Sequence, residues 1–247
     1  MTKTRIFFLA VFVVLFACVS TKAGDFAILN FIGFSKDGKY LAFEEYGTQD
    51  GSGFPYSSIY VVDVAKNAFA APSVNVRLEN ESATEAQARA RAKARAATAL
   101  SKFRILQRNT GTLIVSRILT DVAVNNFLSD EASKTQTVNF AEIILSMYRE
   151  GDYDLVLKPV EVVKTKDCDY ADQPIYKFEL SLKDKQANRT IVLQKDDKLP
   201  TSRSCPLDYS IQYVYIYKDR IAVFLNTYYT GFEGRDMRYL AVTGTYK

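Results

Sequence analysis

Five carboxylates set among glycines are the residues whose types and spacing can do chemistry in this chain. Glu44, Glu45 and Asp50 lie in or just before the loop Gln49-Asp50-Gly51-Ser52-Gly53, while Glu233 and Asp236 follow Gly231-Phe232 near the other end. Two carboxylates held about 5 to 9 Å apart serve as general acid and base on a glycoside. Alternatively, carboxylate and backbone oxygens from Asp50 and Glu233 hold Ca²⁺, although no EF-hand spacing is present. Tyr56 and Arg235 complete the two loops as candidate ligand-binding segments. The plainer reading makes Asp50-Gly51 and Gly53 turn-formers and the acids solvated groups at strand ends, and it is preferred.

Glu45 argues against that plainer reading. Side chains alternate along Tyr40 to Tyr46, so Glu45 shares a face with Leu41 and Phe43, and Glu44 shares one with Tyr40 and Tyr46. If the Leu-Phe face is buried, Glu45 needs a partner, for which Arg235 or Arg238 is expected. A carboxylate so paired is either a structural clamp or a perturbed functional group. Tyr213, Tyr215 and Tyr217 also share one side of their strand. Exposed, such a row suits stacking on sugar or peptide; the preferred reading is a half-buried sheet face.

Other chemistry is excluded by composition. The 247 residues contain no histidine, which removes Ser-His-Asp and Cys-His catalysis and histidine metal sites. Neither a phosphate-cradling Gly-x-x-x-x-Gly-Lys loop nor a dinucleotide fingerprint is present. No cofactor is therefore expected, Ca²⁺ aside.

The elements that must position these residues are mostly strands. Asp37-Gly38 sits between strand-like residues and predicts a hairpin, followed by a strand over Ser58 to Val64. Ser82 to about Arg104 predicts a helix, with Ser82-Ala83-Thr84-Glu85 as a capping box and Ala88, Ala92, Ala96, Ala99 and Phe103 as the stripe laid on a sheet. Arg91, Arg95 and Lys102 flank the stripe on one side and Arg89, Lys93 and Arg104 on the other, which predicts solvated, snorkelling cations and not a nucleic-acid reader. Seven strands are predicted from Gly111 onward: Thr112 to Leu119, Asp154 to Lys164, Ile175 to Lys183, Arg189 to Gln194, Ile211 to Tyr217, Ile221 to Tyr229 and Arg238 to Tyr246. Phe140 to Tyr148 is ambiguous and is assigned to a helix. Asp37 to Phe43 is echoed by Asp219 to Phe224, each leading into a Gly-Phe loop and a further strand, which suggests two copies of one antiparallel element.

The first two dozen residues read as an export signal. Lys3 and Arg5 precede an apolar run from Ile6 to Val19, and small residues at Thr21 and Ala23 place cleavage before Gly24. A helix over that run reaches about 21 Å, short of a hydrocarbon core of about 30 Å. The rival reading takes Leu15-Phe16-Ala17-Cys18 as a lipobox that lipidates Cys18. Removing residues 1–23 takes away three cations and no acid, so the formal charge falls from +4 to +1. A general pull on nucleic acid or anionic lipid is not supported. Cys168 and Cys205 remain, and in an oxidising compartment they read as one disulfide, with free thiols or a metal pair as alternatives.

Two resemblances add to this. Phe34 to Val64 resembles one blade of a Tol-type or WD-like propeller, through Ser35, Asp37, Gly38, Ala42 and Phe43 and then Tyr60, Val61 and Asp63. Across nearly its full length the chain is similar to a bacterial family of predicted secreted proteins of unknown function. That likeness rests on Glu44-Glu45-Tyr46-Gly47-x-Gln49-Asp50-Gly51-Ser52-Gly53-Phe54-Pro55-Tyr56-Ser57 and Gly231-Phe232-Glu233-Gly234-x-Asp236. It implies secretion or periplasmic residence and no particular activity. The expectation is a mainly β (α+β) fold of antiparallel, blade-like sheets carrying one long Ala/Arg-rich helix, not a complete propeller. Its expected parts are a signal over 1–23 and one β-rich secreted domain over 24–247, made of a hairpin unit (24–80), the helix (82–104) and an antiparallel region (111–247). The first functional expectation is a non-catalytic module binding an envelope protein or polymer, without nucleic acid and without membrane unless Cys18 is lipidated. The second is a carboxylate-dependent hydrolase of envelope glycans using Glu44 or Glu45 with Asp50 or Glu233.

Overall fold

A computed structural model describes residues 24–80, 82–117, 134–141, 152–171, 173–232 and 234–247. Its strands form three antiparallel sheets. Sheet one holds β1 (Ile28–Phe34), β2 (Tyr40–Thr48) and β3 (Pro55–Asp63), with β4 (Ala68–Phe69) and β5 (Val74–Arg77) both on the outer side of β3. Sheet two has the order β10 (Arg189–Lys195), β9 (Ile175–Asp184), β8 (Tyr153–Val162), β7 (Gln136–Phe140). Sheet three has the order β13 (Arg235–Thr245), β12 (Arg220–Thr230), β11 (Asp208–Tyr217), β6 (Thr112–Ser116). The mainly β fold with one long helix is as expected, and the sheets close into neither a barrel nor a propeller. Among the described residues no helix is long and apolar enough to cross a membrane.

Side-chain alternation sets the stacking. On β12, Ile221, Val223 and Leu225 pack with Leu155, Leu157 and Phe178 of sheet two. Ala222 and Phe224, between them, pack on Phe31, Leu41 and Phe43 of sheet one. Sheet three is therefore the middle layer, covered on both faces, which is why the middle of β12 is an unbroken apolar run. The far face of sheet one takes Ala88, Ala92 and Ala96 of the helix α1 (Glu85–Lys102) against Ile59, Val61 and Val76. The tyrosine row is a half-buried face, with Tyr215 4.6 Å from Phe31 and Tyr217 stacked at 5.3 Å on Phe34. The echoed segments are two three-stranded meanders, β1-β2-β3 and β11-β12-β13, packed face to face. Gly33 (φ +141°) marks a bulge in β1, where a Cβ would lie 2.5 Å from the carbonyl oxygen of Leu106.

Three local expectations are corrected. The helix is capped by Thr84, not Ser82: Thr84 accepts from Gln87 N–H, and the Gln87 side chain accepts from Thr84 N–H. Ser82 instead bonds Asn80 in the turn before the helix. Arg89 is not a snorkelling cation, because it reaches into sheet one and grips Glu44. Phe140 ends a strand, and the rest of the segment assigned to a helix lies outside the described residues, apart from Ala141. Residues 1–23 and Glu233 also lie outside them. Cys168 and Cys205 form the disulfide, joining the β8–β9 connection to the chain entering β11 amid Ala171, Ile175 and Leu207.

Candidate ligand-binding site

Alternation along β2 sends its two neighbouring glutamates into different layers. Tyr40 and Tyr46 face the helix, through Phe103 (4.7 Å) and Arg89 (3.7 Å) respectively, and Glu44 lies between them with no exposed surface. Its carboxylate accepts from Arg89 Nε and Nη2 (both 2.9 Å), Asn30 Nδ2 (2.7 Å) and Ser57 Oγ (3.0 Å). Burial alone would push this carboxyl up; the hydrogen bonds from Arg89, Asn30 and Ser57 outweigh it and hold Glu44 below the usual range. Glu44 is thereby a clamp for α1.

Glu45 points the other way, against the free edge of sheet three. The Tyr60 hydroxyl donates to Oε1 (2.8 Å) and the Tyr239 N–H donates to Oε2 (3.0 Å). The expected direct arginine partner is absent, because Arg238 pairs with Asp25 and Arg235 donates to Gln173. Burial dominates and raises the Glu45 carboxyl above its ordinary range, against the pull of the two donors and the Arg238 charge. Burial likewise pushes the neighbouring Tyr229 hydroxyl up to about 12, with Glu45 adding to it.

The glycine-rich loops do meet, at a corner beyond Glu45. A Cβ on Gly51 would lie 3.7 Å from the exposed ring of Phe232, and Gly231 closes a turn by donating to Gly234 O. The first loop is largely self-bonded: Gln49 N–H donates to Phe54 O, Gly53 N–H to Gln49 O, Ser52 Oγ to Gln49 Oε1 and Gly51 N–H to Asp50 Oδ1. Asp236 is committed to the Asp25 N–H (2.9 Å), and burial, with Asp25 and Asp50 nearby, raises its carboxyl. Asp25 also accepts from the Tyr56 hydroxyl (2.8 Å) and from Arg238. Among the described residues no three acids or cysteines group so as to hold a metal ion.

Between sheet one and the segment 200–203, the β13 edge opens into a cleft of about 440 Å³. Glu45 and Tyr60 form its floor, with Arg203, Tyr229, Arg238 and the half-exposed Phe69 around it. Each guanidinium already has its own acid: Arg238 holds Asp25, and Arg203 holds Asp196 through Nη2–Oδ1 (3.0 Å) while lying 4.5 Å over Phe178. Phe69 stacks on Tyr60 at 5.4 Å. Of the sequence candidates the cleft takes Glu45; Glu44 is sealed under the helix, and Asp50 and Asp236 are at the loop corner. Asp25, Phe69, Arg203 and Tyr229 were missed. The alternation that ends β12 in Thr227 and Tyr229 is the signal that points to one of them.

This arrangement defines a mainly β architecture of three antiparallel sheets with a cleft at the β13 edge, where Arg203 and Arg238 each hold an acid of their own. The chain belongs to the family described as predicted secreted protein (DUF2259), whose family model matches residues 42–245. No curated protein matches it.

Proposed function

We propose that the chain is a non-catalytic binding module of the bacterial cell envelope, secreted or periplasmic after cleavage before Gly24, and that it takes its ligand in the cleft over Glu45. One observation carries this reading: a cleft of ligand size walled by aromatic rings and by two arginines that each already hold an acid of their own. A glycoside hydrolase needs two carboxylates across one cavity. Here Glu45 is the one carboxylate lining the cleft among the described residues, and its neighbour Glu44 is sealed beneath α1.

The test compares the mature chain with Ala68→Trp, which places an indole in the cleft from an exposed strand end. An envelope component retained by the wild type and lost with Ala68→Trp, at equal melting temperature, supports the reading. Equal retention by both refutes it. Mass spectrometry of the mature amino terminus separates Gly24 from a lipidated Cys18.

A further inference from the structure

The free edge of β13 carries the chemistry that selects a ligand. Successive residues of an edge strand point their N–H and C=O alternately toward the partner strand and toward the open side. On β13 the open side belongs to the odd residues. Met237 exchanges hydrogen bonds with Asp25 and Ala27, the Tyr239 N–H donates to Glu45, and the Thr243 N–H donates to Asn67 Oδ1 at 2.9 Å. The β12–β13 register runs without a shift from Thr230↔Arg235 to Arg220↔Thr245. Ala241 therefore presents its N–H and C=O on the same open edge, between the positions capped by Glu45 and Asn67. It lines the cleft.

We propose that the cleft recognises an N-acetylated sugar, whose acetamido group pairs with the N–H and C=O of Ala241 while a ring face rests on Phe69. A secondary amide offers one donor and one acceptor, which is what a single unpaired edge residue complements. A peptide adding as a strand needs several consecutive free edge residues. Here the N–H groups on either side of Ala241, those of Tyr239 and Thr243, are already taken by Glu45 and Asn67. A strongly charged ligand is disfavoured because both arginines are already matched by Asp25 and Asp196. Phe69 is 59 % exposed at the mouth and is held flat by its stack on Tyr60, the posture of a platform for the C–H face of a sugar.

This inference rests on the cleft being the binding site, and its test separates the two. Triacetylchitotriose and cellotriose, which differ in bearing acetamido or hydroxyl groups, are titrated into the ¹⁵N-labelled mature chain. The acetylated trimer should bind at least about tenfold more tightly, because a site built for a hydrogen-bonding group rejects the analogue lacking it. The Ala241 amide should shift, and Phe69→Ala should weaken binding with the fold intact. Equal or tighter binding of cellotriose overturns acetamido recognition. So does failure of both sugars to bind while capture remains sensitive to Ala68→Trp, and in that case the cleft assignment stands. Capture insensitive to Ala68→Trp removes the cleft assignment itself.

Discussion

Removing the Arg89 side chain strands a charge. Arg89→Ala deletes two of the four hydrogen bonds to Glu44 and leaves a carboxylate that has no exposed surface with hydrogen bonds from Asn30 and Ser57 only. Breaking a buried ion pair from one side costs about 3 to 5 kcal/mol. Because the Arg89 side chain is 26 % exposed and two donors remain, the lower end applies, about 3 kcal/mol. With a urea slope of about 2 kcal/mol/M, the unfolding midpoint should fall by about 1.5 M at pH 7. The sign of the pH dependence is the sharper test. In the wild type the folded-state carboxyl lies below its unfolded value of 4.5, so its stabilisation is present above that value and is lost as the pH falls through the folded one. In Arg89→Ala the largest opposing contribution is gone and the carboxyl moves up, so the variant gains less stability than the wild type as the pH rises. The gap between the two proteins should widen from pH 4 to pH 7. Lys93 Nζ, 4.0 Å from Glu44, is placed to compensate, so Arg89→Ala/Lys93→Ala should widen it further. Urea curves followed by circular dichroism measure this; a gap under about 0.5 kcal/mol, the scatter of ordinary surface changes, or one constant with pH, refutes the clamp.

Glu45 should behave oppositely. Its folded-state carboxyl lies above 4.5, so its contribution is full below that value and is lost as the pH rises through the folded one; Glu45→Gln should flatten that limb of the thermal stability profile. Replacing Cys168 and Cys205 by serine opens a loop of sequence separation 37, and the denaturation midpoint should drop by the equivalent of about 4 kcal/mol. Gly33→Ala sets a Cβ 2.5 Å from the Leu106 carbonyl oxygen at positive φ and should cost about 2 kcal/mol or more; a neutral result in urea would show that the bulge relaxes.

The sequence is most legible where a period is strong and its partner is local. The alanine stripe of α1, the Asp37-Gly38 hairpin and the alternation of Glu44 with Glu45 all follow from residues a few positions apart. The helix cap shifted by two residues because Ser82 and Thr84 both open plausible boxes, and only the turn made by Asn80 takes Ser82 out of competition. Partners were not legible, because periodicity says which face a side chain occupies and not what covers that face. One of the two donors to Glu45 is a main-chain N–H 194 positions away, and the cations expected for it are taken by Asp25 and Gln173.

Both glutamates follow from one circumstance, a strand covered on its two sides by different layers. The face of β2 toward α1 meets a long cationic side chain able to neutralise an ion, so Glu44 stays charged and structural. Its opposite face meets the edge of sheet three, where uncharged N–H and O–H donors prevail and a charge is poorly supported. The Glu45 carboxyl is held at that edge by Tyr60 and Tyr239, one donor to each oxygen. The open edge at Ala241 and the ring of Phe69 lie beside it in the same cleft. The clamp and the cleft are thus two outcomes of the same strand, set by what each neighbouring layer brings to it.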